Sequence, residues 1–162
     1  MADTQAQIID GKVYAERLRA QVADEVAELR TRHGIQPGLA VVLVGEDPAS
    51  QIYVRSKGEH SLAVGMHSVI HRLPQDTSQH DLLRLIAELN VDPLIHGILV
   101  QVPLPAHIDE NAVAGAINPD KDVDGLHVVN AGRLASGQPA LTPCTPAGCM
   151  FLLRETLGDL TG

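Results

Sequence analysis

Leu39-Ala-Val-Val-Leu-Val44, closed by Gly45 and followed by Asp47-Pro48, is the stretch on which the fold turns. Six apolar residues in a row, half of them valine, leave no polar face. Such a run suits a strand covered on both sides, as in a parallel sheet. Asp47-Pro48 then supplies an N-cap residue with proline at the first helical position. The helix it opens is expected to pass through Ile52, Tyr53 and Lys57 to about Val64, with Gly65 as its stop. Upstream, Leu18, Val22, Val26 and Leu29 recur at helical spacing within 13–33, and Gly34 ends that helix. Downstream, a shorter strand is expected over 68–73, stopped by Pro74. A helix follows whose stripe is Leu82, Leu85, Ile86 and Leu89, with Ser78 and Asp81 as a capping-box pair. Another buried strand is expected over 95–102, broken by Pro103, then a short helix over 111–117. The span 118–145 is punctuated by Gly and Pro and reads as a turn with short extended pieces. A last helix runs over 145–157.

This β-α-β-α-β-α alternation predicts an α/β layered domain with a mainly parallel sheet. Ligands of such sheets lie beyond the carboxyl ends of the strands. That rule selects the segments after Val44 and after Val100, and the turn from Asp120 to Gly125.

Composition narrows the function classes. In 162 residues, 44% are hydrophobic and 20% charged, which fits a globular chain and excludes a disordered tail. Twelve Lys plus Arg stand against 20 Asp plus Glu, giving a net charge of −8, and aromatics are 2%. A nucleic-acid partner would need a basic footprint and stacking aromatics, so none is expected. No apolar run approaches the length of a membrane span, and the polar start lacks a signal-peptide core. The expectation is a soluble, acidic, cytoplasmic protein without a membrane partner.

Several segments carry chemistry. Tyr53 and Lys57 lie four apart on the predicted helix and share a face. A lysine beside a phenol, near a strand end and partly desolvated, is able to transfer protons. The plain alternative is a solvated lysine beside a half-buried tyrosine. Gln101, at the tip of a buried strand, must hydrogen-bond something: a neighbouring lysine, a ligand, or local backbone. Asp120-Lys-Asp-Val-Asp-Gly125 matches the first half of a calcium loop, but the twelfth position is Ala131 rather than a bidentate Glu. Its carboxylates would instead receive an N–H-rich ligand edge, or form a solvated turn. Cys144 and Cys149 make no zinc or redox motif and are expected in small buried apolar roles. The eight His residues, the His67/His71 pair included, form no metal-ligand cluster, so no metal is expected. No phosphate-cradling glycine loop occurs.

The ordered set Ser50-Gln-Ile-Tyr-Val-Arg-Ser-Lys57, Gly97-Ile-Leu-Val-Gln-Val-Pro-Leu-Pro105, Lys121-Asp-Val-Asp-Gly125, Asn130-Ala-Gly-Arg-Leu134 and Pro143-Cys-Thr-Pro-Ala-Gly148 resembles the bifunctional methylenetetrahydrofolate dehydrogenase / methenyltetrahydrofolate cyclohydrolase family, from about Ile8 onward. The resemblance implies a three-layer α/β/α domain of the kind found at the amino terminus of amino-acid dehydrogenases. It implies a folate-binding catalytic unit over 8–122 and a connector with a helix over 123–162. That connector would lead to an NADP-binding Rossmann domain beyond Gly162, so no cofactor-binding residue is expected within this chain.

By motif, Lys57 is similar to the family's catalytic lysine, Tyr53 to the residue packing on folate, Gln101 to the residue orienting the lysine, and Asp124 to the pterin anchor. Val54, Arg55, Ser56, Val100 and Val102 complete the implied substrate-binding set. The implied activity is oxidation of 5,10-methylenetetrahydrofolate with NADP and hydrolysis of the methenyl product, by a homodimeric enzyme of one-carbon metabolism and purine biosynthesis. Where the family often has a second lysine two residues after the first, Glu59 stands here. A non-catalytic folate-binding domain is the alternative; it would have no need of Lys57. The 162 residues alone are expected to bind folate weakly and to carry out no NADP-dependent oxidation.

Overall fold

A computed structural model describes residues 8–161; the polar residues 1–7 noted above lie outside them. The chain runs α1 (Gly11–His33), β1 (Gly38–Val44), α2 (Pro48–Ala63), β2 (His67–Leu73), α3 (Gln79–Val91), β3 (Gly97–Val100), α4 (Glu110–Ala116), α5 (Val128–Ala135) and α6 (Cys144–Leu157). The three strands form a parallel sheet in the order β2-β1-β3. The central strand is the unbroken apolar run, hydrogen-bonded along both edges and covered on both faces.

Alternate residues of β1 serve different layers. Ala40, Val42 and Val44 join Ile98 and Val100 of β3 beneath Leu82, Ile86 and Leu89 of α3 and Val113 of α4. Val41 and Leu43 join Leu99 on the other face, under Val54 of α2. The chain leaves β1 for one neighbour and returns to the other, so right-handed crossovers place α2 and α3 on opposite faces. The result is three layers, and the direction of the connections reverses beside β1 and β3. Leu82 and Ile86 are fully buried. At about 1.5–3 kcal/mol each, they hold α3 more firmly than its Ser78 cap, worth about 1 kcal/mol. That cap does form, the Asp81 amide donating to Ser78 Oγ at 3.1 Å, and Asp47 Oδ2 caps α2 through the Ser50 amide at 2.8 Å.

Three expectations need correction. The span 118–145 holds a helix, α5, which the Gly/Pro reading missed. Its first turn is capped by His127, whose Nδ1 accepts from the Val129 amide at 3.1 Å, and Asn130 ties it into the interior. Strand β3 is Gly97–Val100, shorter than 95–102, because the chain turns at Asp92–Ile95 and the last bond to β1 is that of the Gln101 amide to Val42 O, ahead of Pro103. Both cysteines are exposed rather than buried, since α6 contributes no buried side chain. Along α1 only Val26 is buried; Leu18 and Leu29 remain exposed. An edge-to-face pair between Tyr14 and Phe151, centroids 6.2 Å apart, joins α1 to α6.

Candidate active site at the carboxyl ends of β1 and β3

Helix α2 buries Ser50, Val54, Gly58 and Ser61 against the sheet, which turns Tyr53 and Lys57 toward the strand ends. Lys57 Nζ donates to Gln101 Oε1 at 3.1 Å. Gln101 follows β3 directly, and three bonds fix it. Its amide donates to Val42 O at 2.8 Å, its Nε2 to Val102 O at 2.7 Å, and its Oε1 receives the lysine. The amine is thus held by a carboxamide that is itself tied to the central strand.

The acid end is built by a segment added to the open edge of β3. Asp122 makes an isolated parallel bridge with Ile98, whose amide donates to Lys121 O at 2.7 Å. Lys121 Nζ donates to Leu89 O at 3.1 Å and Asp92 O at 2.9 Å, a cation on carbonyls at the end of α3, of which Asp92 O also accepts the Ile95 amide. Two glycines permit the close approach. A Cβ on Gly97 would stand 2.5 Å from Val123 Cγ1; one on Gly125, where φ is +64°, would stand 2.7 Å from the backbone of Thr142 and Pro143.

A cavity of about 270 Å³ lies beside this segment, lined by Val100, Val102, Leu104, Asp122, Asp124 and Leu126 among others. Burial raises the pKa of Asp124 above the usual carboxylate value; the charge of Lys57 opposes the shift and that of Asp122 adds to it. The same charges reach Cys144: though the residue is exposed as a whole, its thiol lies against Val123 O and is pushed up first by desolvation there and then by Asp124. Lys57, Asp124 and Cys144 therefore share one electrostatic neighbourhood, and Cys144 Sγ lies 3.4 Å from Val123 O.

The other sequence-derived residues divide clearly. Val100 and Val102 line the cavity. Tyr53 is exposed beside Lys57, its ring free to meet a flat ligand. Val54 is a correction: it is fully buried in the core under α2 and faces away from the cleft. Arg55 turns to solvent, 3.9 Å from Glu59, and Ser56 lies 3.3 Å from His60 along the helix. The carboxylates of the calcium-like motif diverge, Asp120 toward Arg133 at 3.7 Å and Asp122 toward α5. No group of three metal-ligating side chains occurs among the described residues. Sequence reasoning quoted Lys121, Asp122 and Asn130 within the resembling segments but gave them no part in mounting Asp124, and it passed over His127. Within the residues themselves, the signal for that role was the polar crowding of Asp120–Gly125 followed by a lone Asn in an apolar stretch.

Comparison with known proteins meets this geometry from outside. Residues 9–124 match the family model described as tetrahydrofolate dehydrogenase/cyclohydrolase, catalytic domain. The bifunctional protein FolD of Phenylobacterium zucineum is 81% identical over 157 residues, covering 97% of this chain and 53% of the relative. That of Caulobacter sp. strain K31 is 69% identical, covering 98% and 53%. The crystal structure of the Campylobacter jejuni bifunctional enzyme FolD superposes with a TM-score of 0.93 at 41% identity, covering 96% of this chain and 55% of that one. The Trypanosoma brucei enzyme, solved with NADP cofactor and an inhibitor, gives 0.89 at 38%, covering 93% and 52%. The chain spans about half the length of the curated relatives it matches. It belongs to the tetrahydrofolate dehydrogenase/cyclohydrolase family.

Proposed function

We propose that this chain is the folate-binding catalytic part of a methylenetetrahydrofolate dehydrogenase/cyclohydrolase. The observation that carries the reading is the Lys57–Gln101 bond of 3.1 Å at the end of β3. Lys57, Gln101 and Tyr53 stand outside the cavity's lining, but Val100 and Val102 on either side of Gln101 line it with Asp124, and the charge of Lys57 reaches Asp124. In the hydrolytic step water attacks the methenyl carbon of the folate cation. Unprotonated Lys57 Nζ takes a proton from that water, leaving a neutral carbinolamine. The bond from carbon to N5 then breaks, N5 takes the proton back from Lys57, and the hydroxyl proton leaves to solvent. The products are 10-formyltetrahydrofolate and one proton. Gln101 holds the amine in one direction, which a long flexible side chain otherwise lacks. Asp124 accepts the paired N–H groups of the amino-pyrimidine edge and so sets its reach from Lys57. Tyr53 gives the folate rings a flat apolar platform.

NADP is the hydride acceptor that the family implies, and these residues do not fit it. The turn from β1 into α2 carries Glu46 and the capping Asp47 where a pyrophosphate would need free N–H groups, and Asp76 stands in the turn before α3. Hydride transfer therefore draws on residues other than these. On this reading residues 8–122 form the folate unit, and 123–162 carry Asp124 and lead toward an NADP-binding domain. The working protein is then a cytoplasmic homodimer acting on a small-molecule folate, with no nucleic acid or membrane partner. No helix among the described residues is long and apolar enough to cross a membrane.

Lys57→Met tests the reading in the protein as its gene encodes it. Loss of a positioned acid–base group lowers hydrolysis of methenyltetrahydrofolate on the order of 10²–10⁴-fold, while tetrahydrofolate binding stays comparable. Undiminished hydrolysis would sink the catalytic reading and leave the binding-only alternative.

A further inference from the structure

Two carboxylates two residues apart, Asp122 and Asp124, line one cavity, yet they are mounted differently. Asp124 is half-buried, whereas Asp122 is 2% exposed. Oδ2 of Asp122 accepts from the His127 amide at 2.9 Å and from Asn130 Nδ2 at 3.0 Å. Asn130, 1% exposed, also donates to Pro119 O at 2.8 Å. The Asp122 carbonyl accepts from the Gly125 amide at 3.1 Å, closing the turn that contains Asp124. On its other side the segment is tied to β3 through the Ile98 bridge. The backbone of the acid-bearing turn is therefore held from the sheet in front and from α5 behind, and Asp122 is the residue where the two restraints meet.

A buried carboxylate is an expensive clamp, because it gives up its hydration. It also sets a like charge beside Asp124, against the acid's own ionisation. A neutral amide would hold α5 without that second effect.

We propose that Asp122 is a positioning residue for the ligand end of the site: through His127 N and Asn130 Nδ2 it fixes where Asp124 presents its carboxyl group to the cavity. This rests on the reading of Asp124 as the folate anchor, so the test separates the two. The charged groups around Asp124 are Lys57 from α2, Asp122 from its own turn and Glu110 of α4 in the same cavity wall, with the Cys144 thiol from α6.

Binding of tetrahydrofolate to the protein as its gene encodes it is measured by calorimetry across a pH series, for the parent and for Asp122→Ala, Asp122→Asn and Asp124→Asn. Asp122→Ala frees the turn and weakens binding on the order of 10–100-fold, the scale of an ångström-sized misplacement. Asp122→Asn keeps an acceptor for both donors but removes the charge. Its affinity at neutral pH stays within about threefold, against the roughly 10–100-fold loss expected of the alanine variant. Its acid limb moves to lower pH relative to the parent, a comparison that cancels the ligand's own titration.

The limb reads only the like charge of Asp122 beside Asp124, whereas the positioning role is read from loss in Asp122→Ala against rescue in Asp122→Asn, which keeps an acceptor for His127 N and Asn130 Nδ2. Folded Asp122→Ala binding like the parent, or Asp122→Asn losing as much affinity as Asp122→Ala, overturns the inference. If Asp122→Ala does not fold, Asp122→Ser, whose short hydroxyl does not serve both donors, takes its place with the same expected loss and the same overturning result. If Asp124→Asn binds like the parent, the folate reading of Asp124 fails and this inference fails with it; if only the Asp122 variants do, the inference fails alone.

Discussion

Gln101 offers the sharpest separation between holding a lysine and merely filling space beside it. Its side chain makes two bonds, to Lys57 Nζ at 3.1 Å and to Val102 O at 2.7 Å, while its backbone stays in the sheet through Val42 O at 2.8 Å. Gln101→Met keeps the length and the backbone bond but removes the acceptor. As Lys57 takes the proton its bond to Gln101 becomes one to a charged partner, worth about 1.5–3 kcal/mol, or roughly 10–150-fold in rate if lost in full. Gln101 is half-buried, so water replaces part of the loss, and a fall on the order of tenfold in hydrolysis is expected with little change in Tm. Gln101→Glu is the informative partner. It places a carboxylate about 3 Å from the amine, where the opposite charge favours the protonated form that cannot take a proton from water. Hydrolysis then falls at neutral pH, and its pH profile moves to higher pH. The assay is the decay of the methenyl chromophore under single turnover. Two equal losses with unmoved pH profiles would refute the orienting role and leave Gln101 a packing residue.

Three further outcomes follow from the same geometry. Burial raises the Asp124 pKa above 3.8, Asp122 adding and Lys57 opposing, so the native state binds this proton more tightly than the unfolded chain does. Its contribution to stability therefore declines as pH rises from about 3.8 through the raised folded value. Asp124→Asn should raise the urea midpoint at neutral pH, with the advantage vanishing at pH below 3.8; a lower midpoint at neutral pH would contradict the assignment. Gly125→Ala must adopt φ of +64° and press a methyl 2.7 Å from the backbone of Thr142 and Pro143. Strain of about 1–2 kcal/mol and overpacking of about 1–3 kcal/mol predict a Tm lower on the order of 10 °C, which a thermal melt reads directly. Lys121→Met keeps the half-buried stem but gives up bonds to Leu89 O and Asp92 O. A loss of about 1–2 kcal/mol by urea titration is expected, and no loss would show those carbonyls to be served by water.

How far a residue could be read from the sequence depended on whether its role was local. The 39–44 run needed only its own composition, because a strand covered on both faces carries no polar residue. The Tyr53/Lys57 pair needed only the helix period. That period also shows where the motif misleads. A contiguous Tyr-Val-Arg-Ser-Lys segment sweeps right round a helix, so if Tyr53 and Lys57 face the cleft, Val54 must face the sheet and Arg55 the solvent, as they do. Helix α5 was illegible for the opposite reason. Eight residues with a central glycine do not repay helix nucleation by themselves, and what holds them is Asn130 reaching back to Asp122 and Pro119. Nothing within 128–135 announces that contact. The calcium-like spacing around Asp120 failed likewise, since spacing cannot tell that one of three carboxylates turns inward.

The amine and the acid come from opposite sides of β3, the amine from a helix packed on one face of the sheet, the acid from a segment laid along its open edge. The amine is tied to the sheet through the Gln101 carboxamide, and the acid's segment through the Ile98–Asp122 bridge. Their separation is therefore set by the stiffest part of the molecule, and a loop tip could not hold two groups to the fraction of an ångström that a shared ligand requires. This arrangement also explains why so much of the polar burial lies on the acid side. Lys57 inherits its place from a helix fixed by apolar packing at Val54 and Gly58. Asp124 sits on a turn whose one apolar anchor is the half-buried Val123, so the hydrogen bonds that Lys121 donates and Asp122 accepts carry much of what hydrophobic contact supplies to the lysine. Apolar contacts tolerate small shifts of α2, while a bonded network of this kind fails as a unit when one member is lost. Substitutions around Asp122 should therefore damage ligand binding out of proportion to their effect on the fold.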